Sequence, residues 1–195
     1  MLRGMVFVDH MNFDIALQNL YKNSGGKTPK LDYHTFFKGI VNEKDSVDYI
    51  KTFIFAPTPD DFLMNDEKNK RYYNWIQGFK SAKYIDVIEG RYIARPVDPD
   101  RPMDINERNT YYKVEKGTDI NLAVHALSKA YFNSYDIAFV MSVDTDYITV
   151  YRQLKNIGKI VILVAVEGQN FGKIRPEVDD FILLKKEFFN KYLRN

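Results

Sequence analysis

The sequence predicts an α/β fold in which parallel strands are joined by crossover helices. Short apolar runs alternate with amphipathic stretches along the chain, which is the pattern that such folds produce. At 195 residues, with 45% hydrophobic and 28% charged residues, the chain has the size and composition of one ordinary globular domain. We therefore expect a single domain over residues 1–195.

The first half of the chain is predicted to contain three strands and three helices. MVFV at residues 5–8 is typical of a buried strand, and residues 13–21 have apolar side chains at helical spacing. The remaining elements of this half are a short helix at 33–40, a strand that ends at Pro57, a helix at 65–82 and a strand or bent pair of strands at 84–95. Proline ends the strand in this prediction because it lacks the N–H that a sheet requires.

The helix at 65–82 carries an apolar stripe with two interpretations. Its members are Tyr72, Trp75, Ile76 and Phe79. We favour packing against the core, as apolar residues at helical spacing usually do. The alternative is a surface that stacks on bases, with Arg71 and Lys80 beside the rings.

The second half begins with a segment at 96–109 that is rich in proline, acids and asparagine, which predicts a loop insertion. An edge strand at TYYKVEKG follows, and then a helix that Thr118 or Asp119 caps. We expect the core-facing side of that helix to be Ile120, Ala123, Val124, Leu127 and Ala130. The remaining elements are a buried strand IAFVM at 137–141, a helix that ends at Gly158, a buried strand KIVILVAV, a short strand DDFILL and a helix at 185–194.

Four aspartates fall at junctions between these elements. Asp9 follows the first strand, Asp144 and Asp146 follow IAFVM, and Asp119 begins a helix. The carboxyl ends of parallel strands lie along one edge of a sheet, which is where ligands bind in such folds, so the four carboxylates are expected to converge there. A plain N-cap role for each aspartate stays open, because Asp is a preferred cap.

Asp146 favours a cation site over simple capping. A cap needs one carboxylate, and a second acid two residues after Asp144 adds repulsion that a bound cation would relieve. Clustered carboxylates in a chain with three histidines match Mg²⁺ or Mn²⁺ and disfavour zinc. His10 and His125 are interpreted as structural or solvent-facing.

Composition excludes several classes of function. The chain has no cysteine, which excludes disulfides, thiolate metal sites and a cysteine nucleophile. Its net charge of +2 and pI of about 8.5 do not by themselves indicate nucleic-acid binding. The apolar runs are too short to span a bilayer, so we expect a soluble, cytoplasmic protein with no membrane partner.

Three segments in this order resemble the NYN domain family, the PIN-like group that includes the LabA and DUF88 proteins. FVDHMN at 7–12 resembles the family's strand ending in Asp-x-x-Asn, and EKGTDINLAVHAL at 115–127 resembles its Lys-Gly-x-Asp helix start. SVDTDYITVYRQLKNIGKIVIL at 142–163 resembles its Ser-Gly-Asp-Ser-Asp-Phe segment with the following helix and Gly-Lys strand. The ordered set is more specific than any one motif and covers about residues 5 to 165.

The resemblance implies a PIN-like three-layer α/β/α fold, with a central and mainly parallel sheet and a metal-dependent ribonuclease site. By position, the catalytic and metal-binding acids would be Asp9, Asp119, Asp144 and Asp146, with Mg²⁺ or Mn²⁺ as cofactor. Asn12 would be a polar accessory that orients a carboxylate or water. The partner would be single-stranded RNA, and homo-oligomerisation stays open. The side chains suggested to contact RNA are Lys116, Thr145, Arg91, Arg95, Arg101 and Arg108. The four arginines are chosen for their position on or beside the 96–109 segment, and a solvated loop with scattered charges is the favoured alternative for them.

The chain departs from the family pattern at several positions. Val143 stands where glycine is usual, and Thr145 and Tyr147 stand where Ser and Phe are common. His125 replaces an acid that many members carry on the helix, which would weaken a second metal site. Two alternatives therefore stay open beside the ribonuclease. One is a catalytically weak PIN-like module that binds RNA or protein, and the other is a metal-dependent phosphatase or nucleotidyl enzyme.

Overall fold

Seven strands form one sheet in the computed structural model, which describes residues 1–23 and 25–194. The strands are β1 (Leu2–Asp9), β2 (Val47–Pro59), β3 (Ile85–Pro96), β4 (Tyr111–Lys116), β5 (Ile137–Met141), β6 (Ile160–Val166) and β7 (Asp180–Leu184). Their order across the sheet is β4-β3-β2-β1-β5-β6-β7. Only the β3–β4 pair among these is antiparallel. The mainly parallel sheet confirms the predicted fold class.

Helices cover both faces of the sheet. They are α1 (His10–Asn23), α2 (Tyr33–Val41), α3 (Glu67–Gly78), α4 (Thr118–Tyr131), α5 (Ile148–Asn156) and α6 (Lys186–Asn190). Side chains of α1, α2, α3 and α6 build the core on one face, and those of α4 and α5 build it on the other. The result is the predicted three-layer α/β/α arrangement. No helix in the described part of the chain is both long enough and apolar enough to cross a membrane.

The central strand β1 fixes the direction in which Asp9 points. Val6 and Val8 belong to the core under α1 and α2, whereas Met5 and Phe7 belong to the core under α4 and α5. Side chains alternate along a strand, so Asp9 is directed to the same face as Phe7. Burying a side chain such as Val8 or Phe7 contributes about 1.5–3 kcal/mol, which anchors this register firmly.

The strand β2 continues past Pro57, where we predicted its end. Pairing between β1 and β2 stops at Asp9 opposite Phe55, whereas pairing between β2 and β3 continues to Pro59 opposite Tyr92. Beyond Phe55, β2 therefore has no neighbour on the β1 side, and proline is tolerated at such an edge. The paired ends of β2 and β3 therefore extend beyond the end of β1.

The helix α4 differs from its prediction at its start and on its buried face. Gly117, with φ of +83°, precedes its first turn, and no side chain caps it. The residues fully buried are Thr118, Leu122, Ala126 and Ala130, whereas Ile120 is 70% and Val124 56% exposed. The helix carries two apolar stripes, and the one with small residues faces the sheet because it permits closer packing. Of the residues predicted to face the core, Ala130 is buried and Ala123 and Leu127 pack against the core, whereas Ile120 and Val124 face outwards.

Two other helices are shorter than predicted. The helix α3 spans Glu67–Gly78. Asp66 is its N-cap, and the Asp66 carboxylate accepts the N–H groups of Lys68 and Asn69. In its stripe Ile76 and Phe79 are buried, which confirms core packing for those two side chains. The C-terminal helix α6 ends at Asn190, because the chain turns there and Leu193 forms a bridge with Leu31.

Candidate active site

Asp9 and the segment that carries Asp144 lie side by side because β1 and β5 are neighbours. Val8 pairs with Met141 in parallel register, so the residues that follow, Asp9 and Ser142, lie next to each other where this pairing ends. The Ser142 hydroxyl donates to Asp9 Oδ2 at 3.0 Å and accepts the backbone N–H of Asp144 at 3.2 Å. Ser142 thus links the two predicted acids, a role that the sequence analysis missed.

Asp9 is a buried carboxylate. It is only 7% exposed, and burial raises its pKa to about 6. Hydrogen bonds from the Asn12 N–H and Ser142 oppose this shift, whereas the negative charges of Asp119 and Glu115 add to it. A carboxylate that is buried among other acids is stabilised by any cation that binds beside it.

Asp119 reaches the same rim as predicted, at the start of the helix that follows the edge strand β4. The strand β4 is antiparallel, so its carboxyl end runs back along β3 until Lys116 lies opposite Arg91. The chain then turns at Gly117 and packs against Gly90, where an added Cβ would lie 2.2 Å from the Thr118 Oγ1 atom. This close approach places the first turn of α4 beside the end of β1.

The hydroxyl of Tyr147 holds Asp119 in place. It donates to Asp119 Oδ1 at 2.8 Å, and the Tyr147 side chain is only 2% exposed. The charges of both Asp9 and Asp119 raise the pKa of Tyr147, in addition to the main effect of burial. Both carboxylates therefore lie close enough to Tyr147 to raise the pKa of its hydroxyl.

Glu115 is a further acid at the rim that the sequence analysis did not select. It lies opposite Tyr92 in the β3–β4 pair, on the same face of the hairpin. Partial burial raises its pKa, and the charge of Asp119 raises it further. The signal available in the sequence was its position two residues before Gly117, on the strand face that alternates towards the rim.

Asp144 and Asp146 both lie in the turn that follows β5. Asp144 Oδ1 accepts the backbone N–H of Asp146 at 3.0 Å and so caps a short 3-10 turn over Thr145–Tyr147. The side chain of Asp146 is exposed. Val143, where the family usually has glycine, does not have a positive φ, so valine is accommodated without backbone strain.

The side chain of Asn12 fixes a loop beside the acids. Its Oδ1 accepts the backbone N–H of Val143 at 3.2 Å and the side-chain amide of Gln169 at 2.9 Å. Its backbone N–H donates to Asp9 Oδ1 at 3.1 Å. Asn12 thus orients the carboxylate through its main chain and the loop after β5 through its side chain.

The two histidines near the motifs are packed among rings. His10 is 2% exposed and lies against Trp75, with ring centroids 5.0 Å apart, and burial lowers its pKa to about 4. His125 packs against Phe53 and Phe55 at 5.8 and 5.7 Å, two turns along α4 from Asp119. The structural interpretation therefore fits both side chains.

The donors at this rim fit a hard divalent cation in their chemistry. All are carboxylate oxygens, and the pKa of the buried Asp9 is raised in part by the charges of Asp119 and Glu115. Within residues 1–23 and 25–194, no three acidic or histidine side chains are arranged as a metal-binding group. Mg²⁺ commonly takes one or two carboxylates directly and keeps several waters, so a preformed cage is not needed for this ion.

The predicted RNA contacts lie on and around the β3–β4 hairpin and the rim. Arg91 and Lys116 are opposite each other, and Arg95 is opposite Tyr112. Arg101 pairs with Asp98 at 3.3 Å, whereas Arg108 lines a small pocket at the loop end of the hairpin. Thr145 is exposed in the turn after Asp144.

A larger groove, of about 770 Å³, lies on the face covered by α2 and α3. Tyr33, Trp75 and Phe79 form its aromatic wall, and none of the four predicted aspartates lines it. These three rings contact one another edge to face at 4.8–5.8 Å. They are packed as a cluster rather than spread as a stacking platform.

Comparisons with known proteins agree with this architecture. The model of the NYN domain family matches residues 3–185. Among solved structures, the chain is similar to the crystal structure of a protein of unknown function from Vibrio parahaemolyticus RIMD 2210633, with a TM-score of 0.60 and 14% sequence identity. The match covers 99% of this chain and 96% of that one, and at this identity it shows the fold alone. No curated protein matches the sequence.

Proposed function

Because the chain belongs to the NYN domain family, we propose that it is a metal-dependent ribonuclease that hydrolyses RNA phosphodiester bonds at the rim formed by Asp9, Asp119 and Asp144. The observation that carries the proposal is the buried Asp9, whose pKa is raised to about 6 by burial and by the charges of Asp119 and Glu115. Structural caps do not need to share an electrostatic environment. Asp9, Asp119 and Glu115 lie on β1, α4 and β4 and do share one, and the charges of Asp9 and Asp144 both act on Tyr151.

Asp9 and Asp144 are the residues that would hold Mg²⁺ or Mn²⁺, with Asp119 and Asp146 reaching it directly or through water. A bound divalent cation would neutralise charge on the phosphate and lower the pKa of the attacking water. Ser142 keeps Asp9 and the Asp144 backbone at a fixed separation, since its hydroxyl bonds to both.

Asp119 is suited to orient the attacking water. Its Oδ1 is held by Tyr147, and the residue is otherwise exposed at the rim, so Oδ2 is free to accept a proton from water. Lys116 and Thr145 lie exposed at the edges of the same rim, where they can contact the phosphates of single-stranded RNA.

Cleavage of a fluorescein-labelled single-stranded RNA in Mn²⁺, in Mg²⁺ and in EDTA tests the proposal. We expect Asp9→Asn and Asp144→Asn to reduce metal-dependent cleavage at least a hundredfold while the circular dichroism spectrum is unchanged. Asp48→Asn is the matched control, because Asp48 is an exposed aspartate at the opposite end of the sheet. Cleavage that survives in both Asn variants contradicts the proposal.

A second candidate is an RNA- or protein-binding module with little catalytic activity. It is favoured by the protein hydrogen bonds that already engage these acids: both oxygens of Asp9, one of Asp119 and one of Asp144 are occupied. RNA binding in EDTA without cleavage in either metal would favour this module. Hydrolysis of small phosphate esters but not of RNA would instead indicate a phosphatase.

A further inference from the structure

A small pocket of about 200 Å³ lies at the loop end of the β3–β4 hairpin, beside the start of α3. We call it the basic pocket. Its lining residues are Asp66, Lys68, Asn69, Arg108, Tyr111, Tyr112 and Lys113. Three of these carry positive charge and one carries negative charge.

The charges of the basic pocket are not balanced within it. Asp66, its one acid, uses Oδ1 to accept the N–H groups of Lys68 and Asn69 at the start of α3. Lys113 donates to the neutral Oδ1 of Asn69 at 2.8 Å. Lys68 and Arg108 are exposed, and neither forms an ion pair with the described part of the chain.

Neighbouring cations in this region behave differently. Lys70, in the same helix, pairs with Glu67 at 2.8 Å, and Arg101, in the same hairpin loop, pairs with Asp98. Within the pocket the pKa of Lys113 is lowered, chiefly by burial; the charge of Asp66 opposes this shift, and the charges of Arg108 and Lys68 add to it. Three cations beside a single carboxylate leave an excess of positive charge that favours a bound anion, and arginine matches the geometry of a phosphate.

The basic pocket lies beside the acidic rim. Lys113 and Glu115 are two residues apart on β4, so they share a face and are separated by about 7 Å. The Lys113 Nζ lies 5.7 Å from the centre of the Tyr92 ring, and Tyr92 is opposite Glu115. The charge of Asp9 also acts on Tyr92. One aromatic side chain thus separates the cations from the acids.

We propose that Lys68, Arg108 and Lys113 bind a backbone phosphate of single-stranded RNA a short distance along the strand from the acidic rim. This inference rests on the proposed function and extends it to the class of substrate. A polynucleotide can reach both the basic pocket and the rim at once, whereas a mononucleotide reaches only one of them. The preferred substrate is therefore an oligonucleotide.

Binding measurements without metal separate this inference from catalysis. We would measure fluorescence anisotropy of a labelled twelve-nucleotide single-stranded RNA in EDTA at several KCl concentrations. For Lys68→Gln/Arg108→Gln we expect the Kd to rise about tenfold at low salt. The slope of the logarithm of the association constant against the logarithm of the KCl concentration should fall in magnitude by about 0.7. This is the change expected when one phosphate contact on a single strand is lost.

A matched variant controls for net charge. Lys70→Gln/Arg71→Gln removes one lysine and one arginine from the same helix, and neither residue lines the basic pocket. We expect its Kd to change less than threefold. The inference is wrong if the two double variants lose RNA affinity equally or if neither loses affinity. It is also wrong if the wild-type protein does not bind the RNA.

The two proposals can fail separately. If the wild-type protein cleaves RNA but Lys68→Gln/Arg108→Gln binds as tightly as wild type, the basic pocket is wrong and the ribonuclease stands. If that variant loses binding and the wild-type protein never cleaves RNA in Mn²⁺ or Mg²⁺, the basic pocket stands and the ribonuclease is wrong.

Discussion

At the scale of single residues, the hydroxyl of Tyr147 is the contact that most directly ties one acid to the fold. Family members commonly have phenylalanine there, so the ring packs in either case and the hydroxyl adds a hydrogen bond to Asp119. Partners that orient a metal ligand typically contribute ten- to a hundredfold to metal affinity. Tyr147 is therefore a positioning residue in this proposal.

Tyr147→Phe should weaken Mn²⁺ binding about tenfold in isothermal titration calorimetry and leave the fold intact. The cause is the loss of the hydrogen bond that the Tyr147 hydroxyl donates to Asp119 Oδ1. Tyr135→Phe is the control, because its equally buried hydroxyl donates to the Ala126 carbonyl away from the rim. If both variants bind Mn²⁺ as wild type does, Asp119 is not positioned by Tyr147.

The buried charge of Asp9 should appear in the pH dependence of stability. Its pKa is raised from 3.8 to about 6 in the folded state, so the folded protein binds a proton more tightly than the unfolded chain does. In EDTA, stability should therefore fall as pH rises from about 4 to about 6, and the total loss is on the order of 3 kcal/mol.

Asp9→Asn should remove this pH dependence. The amide can accept from the Asn12 N–H and bond to Ser142 without carrying charge. We expect it to raise the Tm by about 6–12 °C at pH 7 and to leave it near the wild-type value at pH 4. Thermal unfolding followed by circular dichroism measures both values, and an Asp9→Asn variant less stable than wild type at pH 7 would contradict the buried-charge argument.

At the scale of elements, the position of α4 depends on a close contact with β3. A Cβ at Gly90 would meet Thr118 Oγ1 at 2.2 Å and the Lys116 carbonyl oxygen at 3.0 Å. Gly90→Ala should therefore displace the start of α4, destabilise the protein by about 1–3 kcal/mol and weaken Mn²⁺ binding. Urea unfolding and calorimetry measure the two effects.

Gly78 offers the matched comparison. It ends α3, and nothing lies within 4 Å of a Cβ added there. Gly78→Ala should stabilise the protein by about 0.5–1 kcal/mol, because it reduces the freedom of the unfolded chain. If Gly90→Ala behaves as Gly78→Ala does, α4 is not held by this contact.

The elements also show where the sequence was informative. Strand β5 was predicted at its observed bounds, Ile137–Met141, because a short uninterrupted apolar run is typical of a fully buried strand. The buried face of α4 was predicted correctly for Ala123, Leu127 and Ala130 and wrongly for Ile120 and Val124, which are hydrophobic but do not face the sheet. Local hydrophobicity cannot express how closely a helix approaches its sheet.

At the scale of the molecule, the order of the strands decides what the site contains. The sequence indicated that Asp9 and Asp144 follow parallel strands, and hence that they share an edge. It did not indicate that β1 and β5 are neighbours, and therefore gave no reason to select Ser142, whose hydroxyl joins these acids. Glu115 was missed for the same reason, since its place at the rim follows from the antiparallel register of β4.

The whole sheet should unfold as one unit, because both cores pack on the same seven strands. The single tryptophan, Trp75, lies in the layer of α3, whereas Leu154 is fully buried in the opposite layer under α5. Leu154→Ala should cost about 2–5 kcal/mol. In urea, its midpoint should shift equally by Trp75 fluorescence and by far-ultraviolet circular dichroism. Leu17→Ala is the control, because Leu17 lies in the same layer as Trp75 and its loss should shift the fluorescence midpoint in any case. If the urea midpoint followed by Trp75 fluorescence stays at the wild-type value in Leu154→Ala, the two helical layers unfold independently and the sheet is not a single cooperative unit.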